Sequence, residues 1–80
     1  MPRYFFNLKD GRTSLDDEGT ELADIDAARR EAVTYAGSTL RDGAGDSLWN
    51  GEPWRLWVTD QPNGEGKTFF TLHFSAVEGS

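Results

Sequence analysis

No cysteine occurs in the sequence. That excludes a disulfide framework, a thiolate nucleophile and a thiolate metal ligand. Long apolar runs are missing too: no stretch approaches the roughly 20 apolar residues that a spanning helix needs. Positive charge is scarce, with 8 basic against 14 acidic residues and a formal net charge of −6. The deficit is even along the chain. Residues 1–40 carry five basic and eight acidic groups and residues 41–80 carry three and six, a net −3 in each half. No basic tail or stripe is therefore offered to a phosphate backbone or an anionic bilayer, and neither nucleic acid nor membrane is an expected partner. Internal repeats and low-complexity segments are absent. Met1-Pro2-Arg3-Tyr4 runs straight into alternating residues without the charged and apolar regions of a signal peptide, so a cytoplasmic location is expected.

What is present fits one small domain over 1–78 with a tail at 79–80, since 80 residues leave no room for a second core. A hydrophobic content of 36% with 12% aromatics supports a folded core rather than a disordered chain. So small a core, without disulfide or metal, leans on close packing or on oligomerisation.

Tyr4-Phe5-Phe6-Asn7-Leu8 reads as a strand with Tyr4, Phe6 and Leu8 on one face and Arg3, Phe5, Asn7 and Lys9 on the other. Asp10-Gly11 tolerates the positive φ of a two-residue hairpin turn, so Arg12–Leu15 is predicted to return as a short second strand. Asp16-Asp17-Glu18-Gly19 breaks the periodicity and reads as a loop. Asp24 is a good N-cap, and Ile25, Ala28, Ala32, Tyr35, Ala36, Thr39 and Leu40 recur at helical spacing. Arg41 suits the last turn and Gly43 the stop, which predicts a helix over 25–42.

Leu48 and Trp49 are too apolar for a free loop and are expected to fold over the core edge. Residues 54–59 alternate as a strand, with Trp54, Leu56 and Val58 opposed to Arg55, Trp57 and Thr59. Pro62 and Asn63-Gly64 signal a turn. Lys67–Val77 is the predicted last strand, with Phe70, Leu72, Phe74 and Ala76 opposed to Phe69, Thr71, His73 and Ser75. The predicted architecture is α+β, of order ββαββ: a four-stranded, mainly antiparallel sheet with one helix packed on one face.

Several segments resemble a known family: M-P-R-Y-F-F-x-L-x-D-G at the start, E-G-x-E-L-x-D-x-x-x-A-R-x-E-A into the helix, then W-N-G-x-x-W-x-L-x-V-T-D and F-T-L-H-F-S-A. The resemblance is to short bacterial proteins, common in soil and plant-associated alphaproteobacteria, that are known as a domain of unknown function. It spans Met1 to about Val77 and implies a stand-alone α+β domain, with no catalytic residues to carry over. The Gln61–Gly66 hairpin is longer than the D-E-x-G-type turn associated with that family. A fainter likeness, over Tyr4 to about Ala32, is to HicB-type antitoxins, which also run a D-G hairpin into an acidic loop and an E-A-bearing helix. The sequence carries no appended DNA-binding segment.

One helix covers only one face of a sheet. The other face is expected to display Phe5, Trp57 and Phe69 with Arg3, Asn7, Arg55, Thr71 and His73. Large aromatics on a solvent face mark an interface, and burying one is worth roughly 1.5–3 kcal/mol. The alternative is that Leu48, Trp49 or the C-terminal tail folds over them. The expected function is a non-enzymatic interaction module that forms a homodimer through this face, with Arg3, Phe5, Arg55, Trp57, Phe69, Thr71 and His73 as the interface. A second reading is an antitoxin-like regulator whose acidic loop, Asp16, Asp17 and Glu18, binds a basic protein partner.

Catalysis has little to draw on. His73 is the single histidine, and Ser14, Ser38, Ser47 and Ser75 sit in no G-x-S-x-G setting. The carboxylates of Asp16, Asp17 and Glu18 are expected to be solvated, and their spacing is not that of an EF-hand loop. Gly43-Ala44-Gly45 and Gly64-Glu65-Gly66 miss the P-loop lysine pattern and read as turns. No cofactor, metal or catalytic residue is expected.

Overall fold

The computed structural model describes residues 2–42, 46–77 and 79, with backbone alone at Asp46 and Ser47. The predicted stop at Gly43, the Gly43-Ala44-Gly45 turn and Ser80 of the tail lie outside the described residues. The fold is α+β. Strands β1 (Arg3–Lys9), β2 (Thr13–Ser14) and β3 (Thr20–Glu21) precede helix α1 (Ile25–Asp42). A short helix α2 (Asp46–Trp49) leads into β4 (Trp54–Thr59), and β5 (Thr68–Phe74) closes the sheet. All pairings are antiparallel, in the order β2-β1-β4-β5, with β3 also paired to β1.

The sheet therefore has five strands rather than four, and the order ββαββ gains a strand before the helix. Gly19, at φ 76°, turns the chain so that Thr20 and Glu21 lie opposite Tyr4 and Arg3. The first hairpin also differs from a two-residue turn. Asp10, Gly11 and Arg12 separate the paired Lys9 and Thr13, with Gly11 at φ 96° and the Asp10 N–H donating to the Arg12 carbonyl at 3.0 Å. Asn63 and Gly64 both adopt positive φ, 61° and 73°, as a type I′ turn requires, and the Glu65 N–H donates back to the Pro62 carbonyl. The last strand ends at Phe74 and not Val77, because its partner strand begins at Trp54, opposite Phe74.

Helix α1 begins and ends where the sequence predicts. The Asp24 carboxylate accepts from the Ala27 N–H at 2.9 Å, and the Asp24 carbonyl accepts the first helical bond from Ala28. Ala28, Ala32 and Ala36 form a buried stripe against Tyr4, Phe6 and Leu8 of β1 and Leu56 and Val58 of β4. Their small side chains let the helix approach the sheet closely. Cover fades toward the last strand, where Phe70, Leu72 and Phe74 are only half-buried. Leu48 is buried, but Trp49 is 62% exposed, so only one of the pair folds inward. No helix among the described residues is long and apolar enough to cross a membrane.

Candidate functional site

The second face of the sheet is largely covered. Phe5 is only 7% exposed, and Asn7 and Thr59 are fully buried. The 15–19 loop and the 62–64 turn lie over it, whereas Trp49 and Val77 are exposed. Gly19 lies so close over this face that a Cβ there would sit 2.8 Å from the Phe5 ring and 2.7 Å from the Arg3 stem. A Cβ at Gly64 would meet Leu15 at 3.2 Å and the Trp57 ring at 3.6 Å. Loop and turn are tied together by the Asn63 N–H, which donates to the Asp16 carbonyl at 2.8 Å.

Beneath this cover lies a small polar core that sequence reasoning missed. The Asn7 amide nitrogen is within 3.2–3.3 Å of the Phe5 and Trp57 carbonyls and the Thr59 hydroxyl. Its oxygen accepts from the Asp16 N–H at 3.0 Å. The Thr59 hydroxyl donates to the Gln61 carbonyl at 2.8 Å. Among the described residues no buried side-chain nitrogen or oxygen lacks a partner. The available signal was Asn7 itself, a polar residue in mid-strand between Phe6 and Leu8.

Asp16 is turned inward rather than solvated. One carboxylate oxygen accepts from the Phe6 N–H, and the other from the N–H groups of Glu18 and Gly19, each at 3.0 Å. Partial burial pushes its pKa up, but these three donors and the nearby Arg3 guanidinium outweigh that effect, and the net displacement is downward. Asp17 and Glu18 stay exposed.

Beside the loop, a cleft of about 360 Å³ is lined by Ser14, Asp17, Thr20, Glu31 and Tyr35 over the Phe6 ring. Burial, helped by Asp10 and Asp16, pushes the Tyr35 phenol up, which keeps it protonated. Among the described residues no group of three or more His, Asp or Glu side chains is arranged to hold a metal ion.

The seven residues expected to form the interface therefore divide. Arg3 is committed within the chain, to the Glu21 carboxylate at 3.1 Å and the Glu18 carbonyl at 2.8 Å. Phe5 is under the loop. Phe69 is on the helix side, because the β4–β5 ladder slips between Val58 and Thr59: Val58 opposes Phe70, Thr59 opposes Thr68, and Phe69 is left over. Such a bulge breaks the alternation of faces. The Phe69 ring accordingly sits 5.3 Å from that of Tyr4, and the residue is 37% exposed.

Arg55, Trp57, Thr71 and His73 do come together. Trp57 pairs with Thr71 and Arg55 with His73, and the Arg55 guanidinium lies over the Trp57 ring at 4.4 Å. Lys9, opposite Arg55, joins them. Trp57 itself is half-buried.

The family described as Domain of unknown function (DUF6894) matches residues 3–75. The chain belongs to that family. No curated protein and no solved structure matches it. The match runs from the first residue of β1 to just beyond the last of β5, so the DUF6894 unit includes the whole sheet, the covering loop and α1.

Proposed function

We propose that the protein is a non-enzymatic interaction module that self-associates, and that β5 rather than an open aromatic face carries the contact. The supporting observation is the state of that strand. It ends the sheet, with one edge paired to β4 and none to any other described strand. Its sequence, Thr-Phe-Phe-Thr-Leu-His-Phe, contains no Pro, Lys, Arg, Asp or Glu to blunt the free edge. Helix α1 buries the inward residues of β1 and β4 but leaves Phe70, Leu72 and Phe74 half-exposed and Phe69 more so.

An unpaired strand edge beside an uncovered apolar strip accepts another strand. Antiparallel pairing of β5 with β5 of a second copy is self-complementary, as a two-fold contact must be. It continues the sheet and sets the two apolar strips side by side. The alternative, a basic partner on the acidic loop, has Asp17 and Glu18 to rest on, since the Asp16 carboxylate is engaged within the chain.

Sedimentation velocity tests the reading. Wild type is expected to be a dimer at roughly 100 μM, a concentration that saturates a micromolar contact. Thr71→Lys places a cation near the middle of both paired strands and is expected to sediment as a monomer with unchanged far-UV circular dichroism. Should that variant unfold, Phe69→Lys, on the exposed bulge, replaces it. A monomeric wild type, or a folded Thr71→Lys variant that remains a dimer, overturns the proposal.

A further inference from the structure

We propose that Lys9, Arg55 and His73 form a binding site for a small phosphate-bearing ligand. The proposal does not rest on self-association through β5; it is argued from the exposed part of the second face. The register sets Lys9 directly opposite Arg55 and Arg55 directly opposite His73, so the three form one row across β1, β4 and β5. Directly opposed side chains share a face and have Cβ atoms about 4.5–5.5 Å apart. All three are exposed, and together with Pro53 and Trp54 they line a cavity of about 190 Å³.

The chain carries a net charge of −6, yet among the described residues this row has no ion-paired counter-charge. Arg3, Arg29 and Arg41 each hold a carboxylate at 3.0–3.1 Å. Among the described residues no carboxylate stands within ion-pair distance of Lys9, Arg55 or His73. Like charges directly opposed across strands are destabilising, so Lys9 beside Arg55 is an arrangement that a bound anion relieves.

Arg55 is also placed before any ligand arrives. Its guanidinium lies over the Trp57 ring, whose Cζ2–Nε1 edge lies beside Gly64. That contact limits the freedom of a long side chain and leaves the N–H groups at the guanidinium edge to donate. Lys9 supplies an ammonium, and the His73 imidazole has an N–H donor in either tautomer. Donors on three strands around one cavity suit an anion that accepts from several directions. A tetrahedral phosphate does so, whereas a planar carboxylate presents its oxygens in one plane to a single arginine.

The net charge of −6 repels extended anionic surfaces at long range. It selects against a polyanion or a bilayer and for a small ligand that enters one local patch.

Inorganic pyrophosphate is the probe, titrated into ¹⁵N-labelled protein at constant ionic strength and followed by amide and indole shifts. Saturable shifts are expected at Lys9, Arg55, His73 and the Trp57 indole. Arg55→Gln is expected to weaken binding at least about tenfold, the loss that removal of one charge-assisted hydrogen bond brings. Arg30→Gln, an exposed cation on α1, is expected to leave it unchanged. The absence of saturation up to roughly 10 mM, well past a millimolar Kd, overturns the site. So do shifts spread equally over Arg12, Arg30 and Lys67, which mark non-specific screening. A parallel arm with phosphatidic acid vesicles separates the sources of phosphate: binding to vesicles without binding of pyrophosphate overturns the small-ligand assignment.

Discussion

Asp16 links three parts of the molecule through one side chain and its backbone. Its carboxylate takes the N–H groups of Phe6, Glu18 and Gly19, its own N–H goes to Asn7, and its carbonyl receives Asn63. An asparagine at this position keeps one oxygen and turns an NH₂ toward N–H groups that need an acceptor. Asp16→Asn is therefore expected to cost about 1–3 kcal/mol, the penalty for leaving a partly buried donor unpaired, measured by urea unfolding at neutral pH. The pH dependence has a definite sign. Because the folded-state pKa lies below the ordinary value of 3.8, the carboxylate's contribution is fully present above that value and is lost as pH falls through the folded-state pKa. The stability difference between wild type and Asp16→Asn should accordingly narrow below about pH 4. A gap that is constant down to pH 2 would show that the carboxylate's charge contributes nothing. None of this was legible in the sequence, where Asp16 stands in an acidic run. Its partners are backbone donors, and backbone donors leave no mark on residue type.

At the scale of the element, legibility followed how local the causes are. The bounds of α1, Ile25–Asp42, follow from an N-cap, an alanine stripe and a cation in the last turn, all within the segment itself. β4 was equally plain, from alternation alone. β3 was hidden because two residues are too few for any periodicity, and only pairing with Arg3 and Tyr4 defines it. The bulge was hidden too. Period-2 reading assigns Phe69 to the face of Trp57, but one unpaired residue against β4 moves it to the face of Tyr4. The candidate site was therefore half legible: Arg55, Trp57, Thr71 and His73 lie on the regular side of the bulge and keep their expected face, while Phe69 crosses over and Phe5 is covered from outside the strand. The helix also carries an intrinsic weakness that the structure leaves uncompensated. Gly37 is exposed, and a Cβ there would meet nothing within 4 Å. Gly37→Ala is expected to stabilise the fold by roughly 0.5–1 kcal/mol through the reduced entropy of the unfolded chain. That corresponds to a rise in Tm of about 2–8 °C for a domain of this size. A thermal melt showing no rise, or a fall, would mean that the exposed face of α1 is already in contact with something.

For the whole molecule, charge and edge act against each other. Every copy carries −6, so two copies repel at long range, while the proposed contact along β5 contains neither Asp, Glu, Lys nor Arg. Its attraction comes from backbone hydrogen bonds and apolar burial, and screening leaves both intact. Added salt should therefore tighten a β5-mediated dimer, because a Debye length of about 30 Å at 0.01 M shrinks to about 8 Å at 0.15 M and removes the repulsion without touching the contact. A dimer built the other way, with the exposed Asp17 and Glu18 of one copy on the Lys9–Arg55–His73 row of the next, depends on opposite charges and weakens over the same range. Dimer dissociation constants from analytical ultracentrifugation at low and physiological salt separate the two. A constant that falls with salt supports the edge contact. A constant that rises assigns self-association to the charged surfaces, and the cationic row is then the seat of the dimer rather than a site for a small anion.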